Sequence, residues 1–128
     1  MSPAAAPEHV EAAMLVRAVR SAVDTWPELE LFHAIPNGGH RARRTAVKLK
    51  AEGVLPGVPD YCLPVPRGGF HGLYIELKSL TGYASREQKQ FIANVRRHGY
   101  RAEVCRGWEQ AWAVIRDYLA ADGRQEAA

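Results

Sequence analysis

The sequence predicts an α/β fold in which a mixed central β-sheet is flanked by helices. Apolar residues recur at helical spacing in segments near both ends and twice in between. Short runs rich in β-formers separate those segments, and the middle of the chain holds a Pro/Gly-rich connection between two such runs. With 128 residues, 47% hydrophobic and 24% charged, the chain suits one globular domain. That domain is expected over residues 8–120, with 1–7 and 121–128 as flexible tails.

From residue 8 to about 25, Leu15, Ala18, Val19, Ala22 and Trp26 follow helical spacing; Pro7 suits the first turn and Pro27 ends the helix. LELFHAI, residues 29–35, is expected as a strand, and PNGG, residues 36–39, as a turn. HRARRTAVKLKAE then predicts a second helix closed by Gly53. Two short strands, near 60–65 and 72–78, form a hairpin around the Pro/Gly-rich connection. Ser85 with Gln88 is a capping-box pattern that opens a helix carrying Phe91, Ile92 and Val95 and stopping at Gly99. YRAEVC is a further strand. In the last segment Trp108, Ala111, Trp112, Ile115 and Leu119 mark a helix packed on the sheet.

The net charge of +3 is compatible with a polyanionic partner without demanding one. Cys62 and Cys105 form no CxxC pair, and no Cys/His cluster has zinc spacing, so reduced thiols in a cytoplasmic protein are expected. His33, His40, His71 and His98 show no metal spacing either. No apolar run reaches the roughly 18 residues of a membrane helix, and the first residues do not set a basic segment before a hydrophobic one, so neither membrane insertion nor secretion is expected.

Chemistry concentrates in the hairpin. In GLYIELK, residues 72–78, Leu73, Ile75 and Leu77 alternate with Tyr74, Glu76 and Lys78. If the hairpin turns about Gly68, Asp60 lies opposite Glu76 on the same face, with Cβ atoms roughly 4.5–5.5 Å apart. Two carboxylates that close repel unless a positive charge lies between them. Mg²⁺ takes such hard oxygen ligands, and Lys78, two residues on, shares the face. This set suits metal-assisted phosphodiester hydrolysis. The plain alternative for the same three residues is a surface salt bridge.

Taken together, FHAIPNGGHR, PGVPD, GLYIELK and TGYASREQKQ resemble the VRR-NUC family of the PD-(D/E)XK nuclease superfamily, over about residues 8–119. The resemblance implies a restriction-endonuclease-like core and a catalytic set of Asp60, Glu76 and Lys78, with Asp60, Glu76 and the backbone carbonyl of Leu77 as metal ligands. It also implies a Gln on the helix after ExK, which Gln88 matches. Gln88 shares the inward face of Phe91, Ile92 and Val95, and it also reads simply as a capping residue. An acid from the first helix is implied as well. Glu8 is preferred and Glu11 is the alternative, lying roughly 20° and 40° around the helix from Leu15; either also suits a helix N-terminus. The Gln that the family often places four residues later is Ala12 here.

Arg41, Arg44 and Lys48 share one helical face and are candidate phosphate contacts, the default being a solvated face. Asn37 resembles a family position beside the active site and is otherwise a turn residue. Tyr61 and Tyr83 are expected in core or rim packing rather than stacking on bases. The expected function is a Mg²⁺- or Mn²⁺-dependent DNA endonuclease. Stand-alone relatives, found in phage and bacteria, imply a homodimer that cuts branched DNA such as four-way junctions. The alternatives are a noncatalytic nucleic-acid-binding module with the same fold and an interaction protein with a chance motif.

Overall fold

The computed structural model describes residues 5–36 and 43–121. The first helix, α1 (Glu8–Ser21), begins at Pro7 with Glu8 and Glu11 in its first turn, where acids favour the helix dipole. It stops at Ser21, short of the expected residue 25, where the Ala22 amide closes a tighter turn onto the Val19 carbonyl at 3.1 Å. The first three residues of the strand expected over 29–35 instead end a 3-10 helix, Pro27–Leu31, and only two residues form a strand, β1 (His33–Ala34). Burial explains the difference. Leu29 and Phe32 are both buried, and residues three apart share a face in a helical turn but point to opposite sides of a strand. Arg20 fixes the turn by donating to the carbonyls of Leu29 and Phe32 at 3.3 and 3.0 Å.

Helix α2 (Arg43–Ala51) gives way to a turn in which Gly53 adopts φ 98°, as its predicted closing role requires. The hairpin follows: β2 (Tyr61–Leu63), shorter than expected, pairs antiparallel with β3 (Leu73–Lys78). Helix α3 (Arg86–Arg97) is the crossover that lets β4 (Arg101–Arg106) pair in parallel with β3. The sheet order is β1-β2-β3-β4, antiparallel at its first two junctions and parallel at the third, a mixed sheet as predicted. Helix α4 (Trp108–Ala120) closes the described chain.

Strand alternation divides β3 between two environments. Leu73, Ile75 and Leu77 are buried in one core with Leu15 and Val19 of α1 and Ala111, Ile115 and Tyr118 of α4. The opposite face carries Tyr74, Glu76 and Lys78. Tyr74 meets Phe91 of α3 edge-on, ring centroids 5.6 Å apart, so α3 covers the start of the strand on this side. Glu76 and Lys78 follow where that cover meets the loop from α2. No helix among the described residues is long and apolar enough to cross a bilayer.

The approach of that loop depends on a glycine. Gly57 has φ 86°, and a Cβ there would stand 2.4 Å from the backbone carbon and oxygen of Glu87. Gly53 also has a positive φ, but a Cβ would meet nothing within 4 Å. Gly53→Ala is therefore expected to cost only the left-handed penalty of about 1–2 kcal/mol. Gly57→Ala carries that penalty plus a backbone collision. In urea unfolding its midpoint is expected to fall clearly further than that of Gly53→Ala; equal losses would mean that the loop is not pressed against α3.

Candidate active site

The register of the hairpin places the first carboxylate. Tyr61 pairs with Ile75, Cys62 with Tyr74 and Leu63 with Leu73, so Asp60, one residue before the ladder, stands across from Glu76. The Asp60 carbonyl accepts the Ile35 amide at 2.7 Å, and its side-chain Oδ2 accepts the Leu77 amide at 2.8 Å. In an extended strand the amide and carbonyl of one residue project to the same side. Parallel pairing of Glu76 with Val104 turns the Leu77 peptide groups away from β4, toward Asp60. The Leu77 carbonyl therefore lies on the Asp60 edge of β3.

Glu76 is the electrostatic centre. It is 1% exposed, and its Oε2 accepts Gln88 Nε2 at 3.0 Å and lies 3.3 Å from Lys78 Nζ. Its Oε1 is buried with no hydrogen-bond partner. Burial first, then the charge of Asp60, push the Glu76 carboxyl up from 4.5 to about 8; Lys78 pulls the other way without prevailing. A buried carboxylate with one oxygen unsatisfied is costly. Asp60 and Glu76 together offer hard oxygens to a divalent cation, which would satisfy Oε1 and cancel their repulsion, so the residues present fit such an ion. Among the described residues no cluster of three or more His, Cys, Asp or Glu side chains could hold a metal, so a carbonyl, waters or substrate oxygens would have to complete the shell.

Gln88 caps its helix and also reaches Glu76. The capping box is formed: Ser85 Oγ accepts the Gln88 amide, and Gln88 Oε1 accepts the Ser85 amide at 2.7 Å. Its remaining amide nitrogen is the one that reaches Glu76, so the start of α3 is tied to the middle of β3.

The two acids of α1 separate. Glu8 lines a cavity of about 230 Å³ together with His9, Ile35, Asp60, Tyr61 and Leu77. Glu11 is buried, and its Oε1 accepts the Trp108 amide at 2.9 Å. There it serves as the missing cap of α4, whose N-cap residue Gly107 has no side chain to offer. Glu11 is thus engaged in holding α1 to α4, and Glu8 is the acid that faces Asp60.

Lys48 is exposed on α2. Asn37 and Arg41 lie outside the described residues, as do His40, most of the PNGG turn and the side chain of Arg44. Tyr61 is buried and stacks on Phe32 with ring centroids 5.1 Å apart, as core packing predicts. Tyr83 is 74% exposed. One neighbour of the site escaped the sequence reading: Arg106 pairs in register with Lys78 on the parallel strand, so both side chains leave the same face. Local spacing carries no signal for a parallel register across a helical crossover.

A family model for the VRR-NUC domain matches residues 8–109, which include Asp60, Glu76, Lys78 and Gln88. The chain belongs to the VRR-NUC family. A solved structure titled "VRR_NUC domain protein" is similar at a TM-score of 0.66 and 29% identity, covering 84% of this chain and 89% of that one. A search of curated proteins finds no significant match. This VRR-NUC chain is accordingly an α/β protein of a nuclease-type family, with the nuclease-like fold that the sequence predicts.

The raised Glu76 carboxyl has a thermodynamic signature. Between about pH 4.5 and 8 the folded chain holds a proton that the unfolded chain has released, so stability falls as pH rises through this window. The slope from one such group is at most about 1.4 kcal/mol per pH unit. Glu76→Gln removes the titration and is expected to flatten this part of the profile, leaving the variant more stable than the parent above pH 8. Urea midpoints at several pH values, without divalent metal, are the check; parallel profiles for the two proteins would contradict the burial of an uncompensated Glu76.

Proposed function

We propose that this VRR-NUC protein is a Mg²⁺- or Mn²⁺-dependent DNA endonuclease that prefers branched DNA such as four-way junctions and acts as a homodimer. The observation that carries the nuclease reading is the buried, unpartnered Oε1 of Glu76 beside Asp60 and Lys78. Family membership supports phosphodiester hydrolysis, since a nuclease-type family acts on nucleic acid. Two-fold pairing would supply the second site that symmetrical cutting of a junction needs.

The roles follow from placement. Asp60 and Glu76 would hold the metal, joined by the Leu77 carbonyl on the same edge, and Glu8, which lines the same cavity as Asp60, would reach it through a bound water. When bound, the metal supplies positive charge that eases deprotonation of water and offsets charge on the phosphate oxygens. Lys78, held at Glu76, presents its ammonium to the scissile phosphate and stabilises the developing negative charge. Gln88 keeps the Glu76 carboxylate in place from the far side. Attack by water forms one P–O bond as the bond to the leaving sugar oxygen breaks; the water's proton passes to solvent and the leaving oxygen takes a proton in return.

Cleavage of linear, flapped, forked and four-way DNA in Mg²⁺ and in Mn²⁺, with light scattering on the free protein, tests the proposal. Glu76→Gln, Asp60→Asn and Lys78→Met are each expected to lower the rate by about 100-fold or more while the fold is kept. Full activity in purified Glu76→Gln would remove the assigned site. A monomer with equal rates on branched and linear DNA would remove the dimer and the shape preference.

Phosphate binding by Arg41, Arg44 and Lys48 is a separate expectation. Charge reversal at Arg41, Arg44 and Lys48 is expected to weaken DNA binding and to reduce the slope of log K against log salt by about 0.9 for each phosphate that the protein no longer neutralises. Isotherms at several salt concentrations measure this; an unchanged slope would leave that face to solvent.

A further inference from the structure

Tyr83 is 74% exposed on the turn that follows β3, and none of the roles above uses it. The turn is well tied. Gly82 donates its amide to the Ser79 carbonyl at 3.1 Å, and the Gly107 amide at the end of β4 donates to the Lys78 carbonyl at 2.9 Å. Arg106 Nε donates to the Gly82 carbonyl at 3.0 Å, which carries its guanidinium over the Tyr83 ring, 4.3 Å from the centroid. Gly82 also lies against the site: a Cβ there would stand 3.3 Å from Lys78 Cβ. Since Arg106 and Lys78 are register partners, the braced ring stands at the rim of the face that bears Lys78. Leu80, 58% exposed, sits on the same turn.

We propose that the Tyr83 ring, braced by Arg106, is a stacking platform for an unpaired base of the DNA strand whose phosphate lies beside Lys78; this rests on the nuclease reading above. A cation covers one side of the ring while most of the ring remains open to solvent, and every base has a π-face to lay on an aromatic. Bracing lowers the ordering cost, because Arg106 already restricts the ring before a base arrives. The selection is for structure rather than sequence. Within continuous duplex each base is stacked on both sides, whereas at a flap or branch point a base is free to leave the stack at little cost. A platform next to the catalytic lysine thereby favours phosphates adjoining unpaired nucleotides.

The test uses a flapped DNA carrying 2-aminopurine at the unpaired nucleotide next to the branch, with a fully paired duplex as control. Binding and fluorescence are read with Ca²⁺ in place of Mg²⁺, and cleavage of the same DNAs in Mg²⁺ is read on a gel. The parent protein is expected to quench the unpaired 2-aminopurine, and Tyr83→Phe to do the same. Tyr83→Ala is expected to lose the quench and to bind the flap about 5- to 100-fold more weakly, with duplex binding changed less than about twofold. Arg106→Met, which keeps the aliphatic stem, is expected to give a weaker quench than the parent. Unchanged flap affinity and quench in Tyr83→Ala, equal loss on flap and duplex, or no quench by the parent would each overturn the platform. Intact cleavage alongside such a result leaves the nuclease reading standing; quench and selective binding without cleavage in Mg²⁺ or Mn²⁺ would do the reverse.

Discussion

One buried carboxylate organises the structure around it. Glu76 sits mid-strand with its side chain withdrawn from water, where an ionised acid is stable only if every neighbour helps. Lys78 and Gln88 serve one oxygen and leave the other without a partner. To deliver Gln88, α3 has to start within reach of β3, and its capping box fixes that start. To deliver Asp60, the loop after α2 has to slide across the first turn of α3, which only a glycine at position 57 permits. The geometry of two loops and a helix is thus subordinate to the surroundings of a single side chain.

The two faces of β3 answer different demands. Leu73, Ile75 and Leu77 fill a close-packed core between α1 and α4, which supplies the stability. The other face is covered in steps: Phe91 packs on Tyr74, Gln88 reaches over the buried Glu76, and Lys78 beyond it keeps 14% of its side chain exposed. Stability and chemistry are separated by the thickness of one sheet, so the site can keep an unsatisfied acid without loosening the core behind it.

Much of this was legible in the chain because the signals are local. Strand alternation and the length of the Pro/Gly connection were enough to place Asp60 across from Glu76, and Ser85 with Gln88 announced the start of α3. Residues 29–35 misled because their composition suits a strand, whereas the burial of both Leu29 and Phe32, and the reach of Arg20, are tertiary facts. That the start of α4 takes up Glu11 is a contact between residues 97 positions apart, which no local spacing announces. Arg106 was invisible for the same reason, since its place beside Lys78 exists only once β4 has crossed over.

The contact between Glu11 and Trp108 also imposes an order on synthesis. A chain leaving the ribosome from its N-terminus presents Glu11 long before the Trp108 amide exists, and α1 cannot settle against α4 until that helix has emerged. β3 waits as well, because its parallel partner β4 and one wall of its core, α4, are made after it. A chain synthesised only as far as α3 therefore lacks the support that holds Glu76 and Lys78 in position, and the face that bears them is completed only after β4 and α4 have emerged.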